Sequence, residues 1–188
     1  MKLTKSRISS FIFLVVIVIL VIPQTRTPIQ IVFHKLISKV RTVEADMPDD
    51  RMALTNYDWQ LIDASGNLYD FNEAKEKVVL INFWATWCPP CIVEMPSMQK
   101  LYDTYQDKIV FLFVTNDDFD LVKKFNQKND YTFKVYRPKT DSSHLFDVKS
   151  IPRTFVIDKS GKVAIDKSGA VDWYSESVKE QLDELLKQ

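Results

Sequence analysis

Glycine and cysteine are both scarce in this chain. Its 188 residues include only 3 glycines, which argues against long flexible linkers and against a glycine-rich phosphate-binding loop. Only 2 cysteines are present, whereas a small scaffold held together by disulfides would have several of them along the chain. Because 46% of the residues are hydrophobic, we expect one compact domain with an apolar core, together with a short additional segment.

Metal ligands and an excess of basic charge are lacking as well. A structural zinc site normally has four Cys or His ligands, but the only histidines, His34 and His144, are distant in sequence from the two cysteines. We therefore predict no metal site. The net charge of zero conceals an asymmetry: residues 1–42 carry seven basic and no acidic side chains, and the remaining 18 basic and 25 acidic side chains give −7. An acidic body argues against nucleic-acid binding, and a basic N-terminal segment suits an anionic membrane surface.

A long apolar run lies close to the N-terminus. Residues 11–22 are uninterruptedly apolar and follow three basic residues, Lys2, Lys5 and Arg7. The run has the length of a secretory signal sequence and is shorter than the roughly 20 residues of a typical membrane-spanning helix. However, residues 23–26 contain no small-residue cleavage pattern. We therefore predict an uncleaved signal-anchor in residues 1–22, with a cleaved signal or an unexported chain as alternatives.

Residues 23–50 are predicted to connect this anchor to a folded domain at 51–188. Apolar residues at helical spacing over 29–40 predict an amphipathic helix that lies on the membrane surface or packs on the domain, and the acidic stretch 43–50 predicts a linker. Because the leading tail is short and basic, we place the N-terminus inside. The expected location is thus the cytoplasmic membrane, single-pass, with the domain on the extracytoplasmic (periplasmic) side.

From residue 57 onward the apolar pattern becomes regular. Nearly continuous apolar runs at 78–84 and 109–115 predict strands that are buried on both faces of a sheet. Three- and four-residue spacing predicts helices at 91–105, 117–129 and 175–186, with Asp117 or Asp118 as the cap of the second helix. Further strands and two hairpins are predicted around 57–67, at 133–136 and over 154–165. The order indicates an α/β fold in which a mixed sheet lies between helices.

The two cysteines lie where the first buried strand gives way to a helix. In the segment Trp87-Cys88-Pro89-Pro90-Cys91, the first cysteine falls at the helix N-terminus, where the helix dipole favours a thiolate. Two intervening residues allow the Cys91 sulfur to reach Cys88, so a mixed disulfide can be resolved internally. Prolines in the first turn cost no hydrogen bond. A short structural disulfide is the alternative, but it does not explain this position.

Residues 82–91 (NFWATWCPPC) resemble the active-site signature of thioredoxin-like proteins, most of all the exported, membrane-tethered TlpA/ResA type. The resemblance extends from about residue 55 to the C-terminus. It implies a thioredoxin-like three-layer sandwich, a helix kinked at Pro96, a cis peptide bond between Ile151 and Pro152 that faces the disulfide, and no cofactor besides the redox-active disulfide. The residues predicted to contact substrate are Trp87, Pro89, Pro90, Ile151 and Pro152.

The resemblance also implies a proton acceptor. Glu94 matches an acidic residue that in ResA-type proteins lies near the cysteines and helps to handle their protons. Thioredoxin has a buried Asp where this chain has Asn82, and because Asn cannot act as a base, we predict Glu94 as the acceptor for Cys91. A solvated helix-surface position for Glu94 is the alternative. Trp173 is predicted to be a core residue.

The predicted activity is reduction of protein disulfides outside the cytoplasmic membrane by a monomeric thiol–disulfide oxidoreductase. Cys88 would attack the substrate disulfide, Cys91 would resolve the mixed disulfide, and an upstream membrane thiol donor would restore the dithiol. The resemblance suggests apocytochrome c as one substrate class. Two alternatives stay open: an oxidase or isomerase with the same chemistry, and a tethered redox-sensing, protein-binding domain that uses the disulfide as a switch.

Overall fold

The structure is a computed structural model that describes residues 51–188 continuously and residues 12–14, 30–31, 33–35, 37–38 and 41–43 before them. The predicted signal-anchor lies outside the described residues except for 12–14, which are helical, and the predicted linker is described only at Val43. The described residues between 30 and 38 are helical. In the described part of the chain, no helix has both the length and the apolar character needed to cross a membrane.

A seven-stranded mixed sheet forms the centre of the described domain. Its order is β2-β1-β5-β4-β3-β6-β7, in which β3, β4 and β5 are parallel and the other neighbours pair antiparallel. The strands are β1 (Gln60–Asp63), β2 (Leu68–Asp70), β3 (Val79–Phe83), β4 (Val110–Val114), β5 (Val135–Pro138), β6 (Arg153–Ile157) and β7 (Val163–Ser168).

Within residues 51–188, three α-helices flank the sheet: α1 (Pro89–Tyr105), α2 (Phe119–Asn129) and α3 (Glu176–Lys187). Two short 3-10 helices, Phe71–Ala74 and His144–Phe146, lie in the connections. The cap of α2 is Asp118, whose side chain accepts a hydrogen bond from the N–H of Asp120 at 2.8 Å. The predicted thioredoxin-like α/β fold, a mixed sheet with flanking helices, is therefore confirmed.

Alternate residues of β3 point to opposite faces of the sheet, as strand geometry requires. We call the side of Leu80 and Asn82, which is covered by α1, α2 and α3, the active face. The side of Val79 and Ile81 is the opposite face. Large aromatic side chains pack on the opposite face, including Trp59, Phe71, Phe146 and Phe155.

The described residues 41–43 lie against the domain. The Arg41 guanidinium donates to the carbonyl of Ser168 at 2.9 Å, and the Gln181 amide donates to the carbonyl of Val43 at 2.8 Å. Val43, the first residue of the predicted linker, is only 2% exposed and packs in the core of the active face. The division of the chain at residue 51 stays a prediction, but Val43 packs as part of the domain.

Candidate active site

Cys88 and Cys91 form a disulfide at the carboxyl end of β3, where α1 begins. Cys88 is the N-cap residue of α1, and its sulfur accepts a hydrogen bond from the N–H of Cys91 at 3.3 Å. Pro89 and Pro90 occupy the first two helical positions, where an N–H has no partner within the helix. Cys88 is 3% exposed and Cys91 is 0% exposed. Both cysteines are therefore buried, and they differ in their neighbours more than in their exposure.

The loop before β6 lies beside the Cys88 sulfur. The Ile151–Pro152 peptide bond is cis, as expected, and the Ile151 carbonyl oxygen lies 3.8 Å from Sγ of Cys88. The carbonyl of Pro152 accepts a hydrogen bond from Gly169 at 2.9 Å, which connects this loop to the end of β7. Ile151 is half-buried and Pro152 is buried, so the loop forms a wall beside Cys88.

Trp87 directly precedes Cys88 and is 70% exposed. Its indole N–H donates to Asp117 at 3.1 Å, and the N–H and hydroxyl of Thr86 both donate to Asp117 at 2.7 Å. Asp117, which follows β4, therefore holds the segment that precedes Cys88. The sequence pattern proposed Asp117 as one of two possible helix caps and gave no sign of this contact.

A cleft of about 290 Å³ opens between Trp87 and Ile151. Its wall combines apolar side chains with a few polar ones, which is the usual make-up of a binding cleft. Further lining residues are Phe83, Trp84, Ala85, Val114, Thr115, Asn116, Asp117, Pro138, Ser142, Phe146 and Val148. A larger cleft of about 760 Å³ lies between α2 and the β1–β2 turn and includes none of the predicted site residues.

Glu94 lies one turn into α1 and points into the protein, where it is 1% exposed. Its Oε1 accepts a hydrogen bond from the amide of Asn82 at 2.8 Å, and its Oε2 accepts one from the indole N–H of Trp173 at 3.2 Å. The alternative of a solvated surface position is therefore wrong. Glu94 is three residues from Cys91 on the buried side of the same helix.

Burial raises the pKa of Glu94 from 4.5 to about 8. Hydrogen bonds from Asn82, Trp173 and the Val171 N–H stabilise the charged form and oppose this rise. A carboxyl group with such a pKa exchanges its proton near neutral pH, which is the range in which general acid–base groups are most effective. Its environment therefore equips Glu94 to accept a proton from a neighbouring thiol.

Asn82 is a hydrogen-bond donor in this site. Its amide donates both to Glu94 and to the hydroxyl of Thr154, each at 2.8 Å. The antiparallel pairing of β3 and β6 places Thr154 directly opposite Asn82. Sequence reasoning identified Asn82 only as a residue that cannot be a base, and it gave Thr154 no role. Asn82 is a polar residue in an otherwise apolar strand, and this was the signal in the sequence that could have pointed to its role.

Among the described residues, no group of three or more His, Cys, Asp and Glu side chains could hold a metal ion. The site contains the Cys88–Cys91 disulfide and the hydrogen-bonded groups around it. Such a disulfide on a strand-to-helix turn, beside a cis-proline loop, is the arrangement that the resemblance to thioredoxin-like oxidoreductases implies.

Comparison with known proteins gives the same class. The chain belongs to the Redoxin family, whose model matches residues 42–182. It is 38% identical over 128 residues to the thiol-disulfide oxidoreductase ResA of Bacillus thuringiensis, an alignment that covers 66% of this chain and 70% of the relative. It is 36% identical over 110 residues to the thioredoxin-like protein YneN of Bacillus subtilis, with 56% of this chain and 65% of that protein covered.

A solved structure from Chlorobium tepidum, provisionally assigned as the thiol:disulfide interchange protein DsbE, superposes with a TM-score of 0.61 at 27% identity. The superposition covers 73% of this chain and 98% of that one. Together with the disulfide at the start of α1, these similarities identify the chain as a thioredoxin-like thiol–disulfide oxidoreductase.

Proposed function

We propose that this oxidoreductase reduces protein disulfides outside the cytoplasmic membrane. The observation that carries the proposal is the different surroundings of the two sulfurs. Cys88 lies beside the Ile151 carbonyl and directly follows Trp87, which lines the cleft, whereas Cys91 lies on the same buried side of α1 as Glu94. In this proposal, Cys88 meets the substrate protein and Cys91 completes the reaction inside.

In the first step, the Cys88 thiolate attacks one sulfur of the substrate disulfide. The substrate S–S bond breaks, a Cys88–substrate mixed disulfide forms, and the second substrate sulfur leaves as a thiolate. The start of α1 stabilises the attacking thiolate, both through the helix dipole and through the Cys91 N–H that points at Sγ of Cys88.

In the second step, Cys91 resolves the mixed disulfide. Its thiol gives a proton to the carboxylate of Glu94, and the resulting thiolate attacks the Cys88 sulfur. The bond between Cys88 and the substrate breaks, and the substrate sulfur leaves and takes up a proton. Two electrons have then passed from the protein dithiol to the substrate, and the Cys88–Cys91 disulfide remains, as it is seen in the structure.

The substrate segment around its cysteine occupies the cleft between Trp87 and Ile151. Pro89, Pro90 and Pro152 border the sulfur that the substrate meets. Apocytochrome c is one substrate class that suits this arrangement, because a chain that is unfolded around its cysteines can enter a cleft of about 290 Å³. An upstream membrane thiol donor reduces the disulfide again after each cycle.

The protein works as a monomer attached to the membrane by residues 1–22, with the domain on the periplasmic side. The apolar run 11–22 and the three basic residues that precede it, Lys2, Lys5 and Arg7, support this location. Cell fractionation together with protease digestion of intact spheroplasts tests it. A domain that resists protease until the membrane is broken, or a mature chain that begins after residue 22, would contradict the proposal.

The direction of the redox reaction and the class of protein are tested with the full chain in detergent. We expect the protein to catalyse the reduction of insulin disulfides by a small thiol. We also expect its reduction potential to be more negative than that of the oxidant DsbA, which is about −120 mV. A potential close to that value would favour an oxidase or isomerase. Failure to turn over any disulfide, with redox-dependent binding of a protein partner, would favour a redox-sensing domain.

A further inference from the structure

Trp173 contacts Glu94 in two ways. It lies in the loop between β7 and α3 and is fully buried. Its indole N–H donates to Oε2 of Glu94 at 3.2 Å. Its backbone N–H donates to the hydroxyl of Ser97 at 3.1 Å, and that hydroxyl donates to the backbone carbonyl of Glu94 at 2.7 Å. The loop is thereby attached both to the carboxyl group and to the helix turn that carries it.

We infer that Trp173 is a positioning residue for the reaction, which holds the carboxyl group of Glu94 in the orientation that accepts the proton of Cys91. The inference rests on the proposed role of Glu94. Asn82 fixes one carboxyl oxygen from the sheet, and Trp173 fixes the other from the loop. With the indole N–H removed, the Val171 N–H is the remaining donor from the loop, so the carboxyl group is held less firmly on that side.

The hydrogen bond of Trp173 is not a general consequence of burying tryptophan. Trp59 and Trp84 are buried to a similar degree, yet within residues 51–188 their indole N–H groups have no hydrogen-bond partner. Packing of an indole ring in this domain is therefore possible without such a bond. That Trp173 directs its N–H to a buried carboxyl group gives it a chemical role in addition to its place in the core.

The surroundings of Glu94 make the indole N–H of Trp173 important for the protonation of the Glu94 carboxyl group. The groups that hydrogen bond to the carboxyl are Asn82 from β3, Trp173 and the Val171 N–H from the loop, and none of them is charged. Cys91, which is titratable when reduced, lies three residues before Glu94 on α1 itself. A hydrogen bond that favours the carboxylate lowers the pKa, so loss of the indole N–H must raise the pKa of Glu94 further.

The test is the rate at which a preformed mixed disulfide on Cys88 is resolved, measured from pH 5 to 9 with the full chain. Because the acceptor must be deprotonated, the rate rises with pH through the pKa of Glu94. In Trp173→Phe we expect this rise to move up by about one pH unit, with resolution about tenfold slower at pH 7, since a hydrogen bond to a charged group contributes on that scale. Trp59→Phe is the matched control, because it removes the same atoms without removing a hydrogen bond, and its profile should equal that of the wild type.

Glu94→Gln separates the inference from the proposed function. If Glu94→Gln resolves at the wild-type rate across this range, the proton-acceptor role itself is wrong. If Glu94→Gln is slow but the profiles of Trp173→Phe and Trp59→Phe coincide, the positioning role of Trp173 is overturned. Should Trp173→Phe not fold, Ser97→Ala serves instead, because it removes the acceptor of the Trp173 backbone N–H. In Ser97→Ala, a smaller upward shift of the pH profile supports the inference, and a profile equal to that of the wild type contradicts it.

Discussion

On the active face, β3 places Leu80 and Asn82 beneath α1, whereas on the opposite face the same strand places Val79 and Ile81 among aromatic rings. The opposite face buries apolar side chains, and its aromatic residues contact one another closely, as in the ring pair of Trp59 and Phe71 at 5.6 Å. The active face contains a disulfide and a buried carboxyl group in addition to its apolar core.

The difference shows how one sheet can combine stability with chemistry. Burying an ionisable group is unfavourable unless it is hydrogen-bonded or uncharged. Glu94 is hydrogen-bonded by two side chains, and burial raises its pKa, which favours the uncharged form. Burial of large apolar and aromatic side chains, in contrast, is the main favourable contribution to folding. We therefore expect substitutions on the two faces to act on different measurable quantities.

The largest effect is expected from the cysteines. Cys88→Ser and Cys91→Ser should each abolish catalytic turnover of a protein disulfide, because one sulfur is needed for attack and the other for release. Insulin reduction by the full chain measures this. Each variant should still unfold cooperatively, and residual turnover in either one would show that the pair does not act as proposed.

On the opposite face, Phe71→Ala should reduce stability without changing the chemistry. Phe71 is fully buried, and removal of such a side chain typically costs about 3–5 kcal/mol. Denaturant unfolding measures the loss, with Leu68→Ala as a control because Leu68 is 54% exposed and surface substitutions usually change stability by less than about 0.5 kcal/mol. A changed pH profile of mixed-disulfide resolution in folded Phe71→Ala would break the comparison between the faces.

On the active face, stability should depend on pH through Glu94. Its pKa in the folded protein is raised to about 8, so between its unfolded value near 4.5 and pH 8 the folded state binds more protons than the unfolded state. The contribution of Glu94 to the free energy of unfolding should therefore be largest below about pH 4.5 and should fall as pH rises to about 8. Denaturant unfolding at several pH values should give a flatter profile for Glu94→Gln, and identical profiles would remove Glu94 as the cause.

A smaller effect is expected at the N-terminal edge of the domain. Val43 packs in the core of the active face and its carbonyl is hydrogen-bonded to Gln181. A fragment of residues 41–188 should therefore unfold cooperatively, and a fragment of residues 51–188 should be less stable by about 1.5–3 kcal/mol, the contribution of one buried side chain. Equal stability of the two fragments would show that the contacts of Val43 contribute nothing.

Most of the fold could be predicted because hydrophobic periodicity reports which residues are buried. The apolar runs at 78–84 and 109–115 correspond to β3 and β4 to within one residue at each end, and the helix predicted at 91–105 is α1 without its first two prolines. The hairpin predicted around 57–67 is that of β1 and β2, but no bounds were predicted for β2, since three residues carry too little pattern.

The site was predictable only where its residues are neighbours in sequence. Cys88 and Cys91 stand in one motif, and the resemblance supplied the cis bond before Pro152. The partners of Glu94 come from positions that tertiary structure alone brings together: Trp173 is 79 residues away, and it was predicted only as a core residue. Thr154 reaches Asn82 through strand register, over 72 residues. Periodicity contains no information about such contacts.

The central claim is that Cys88 makes the first attack and the buried Cys91 releases the product. Its most direct test is to react Cys91→Ser and Cys88→Ser with a protein disulfide and to map the trapped mixed disulfides by mass spectrometry. The account predicts a stable adduct on Cys88 in Cys91→Ser and little or none on Cys91 in Cys88→Ser. An adduct that forms as fast on Cys91 as on Cys88 would contradict it.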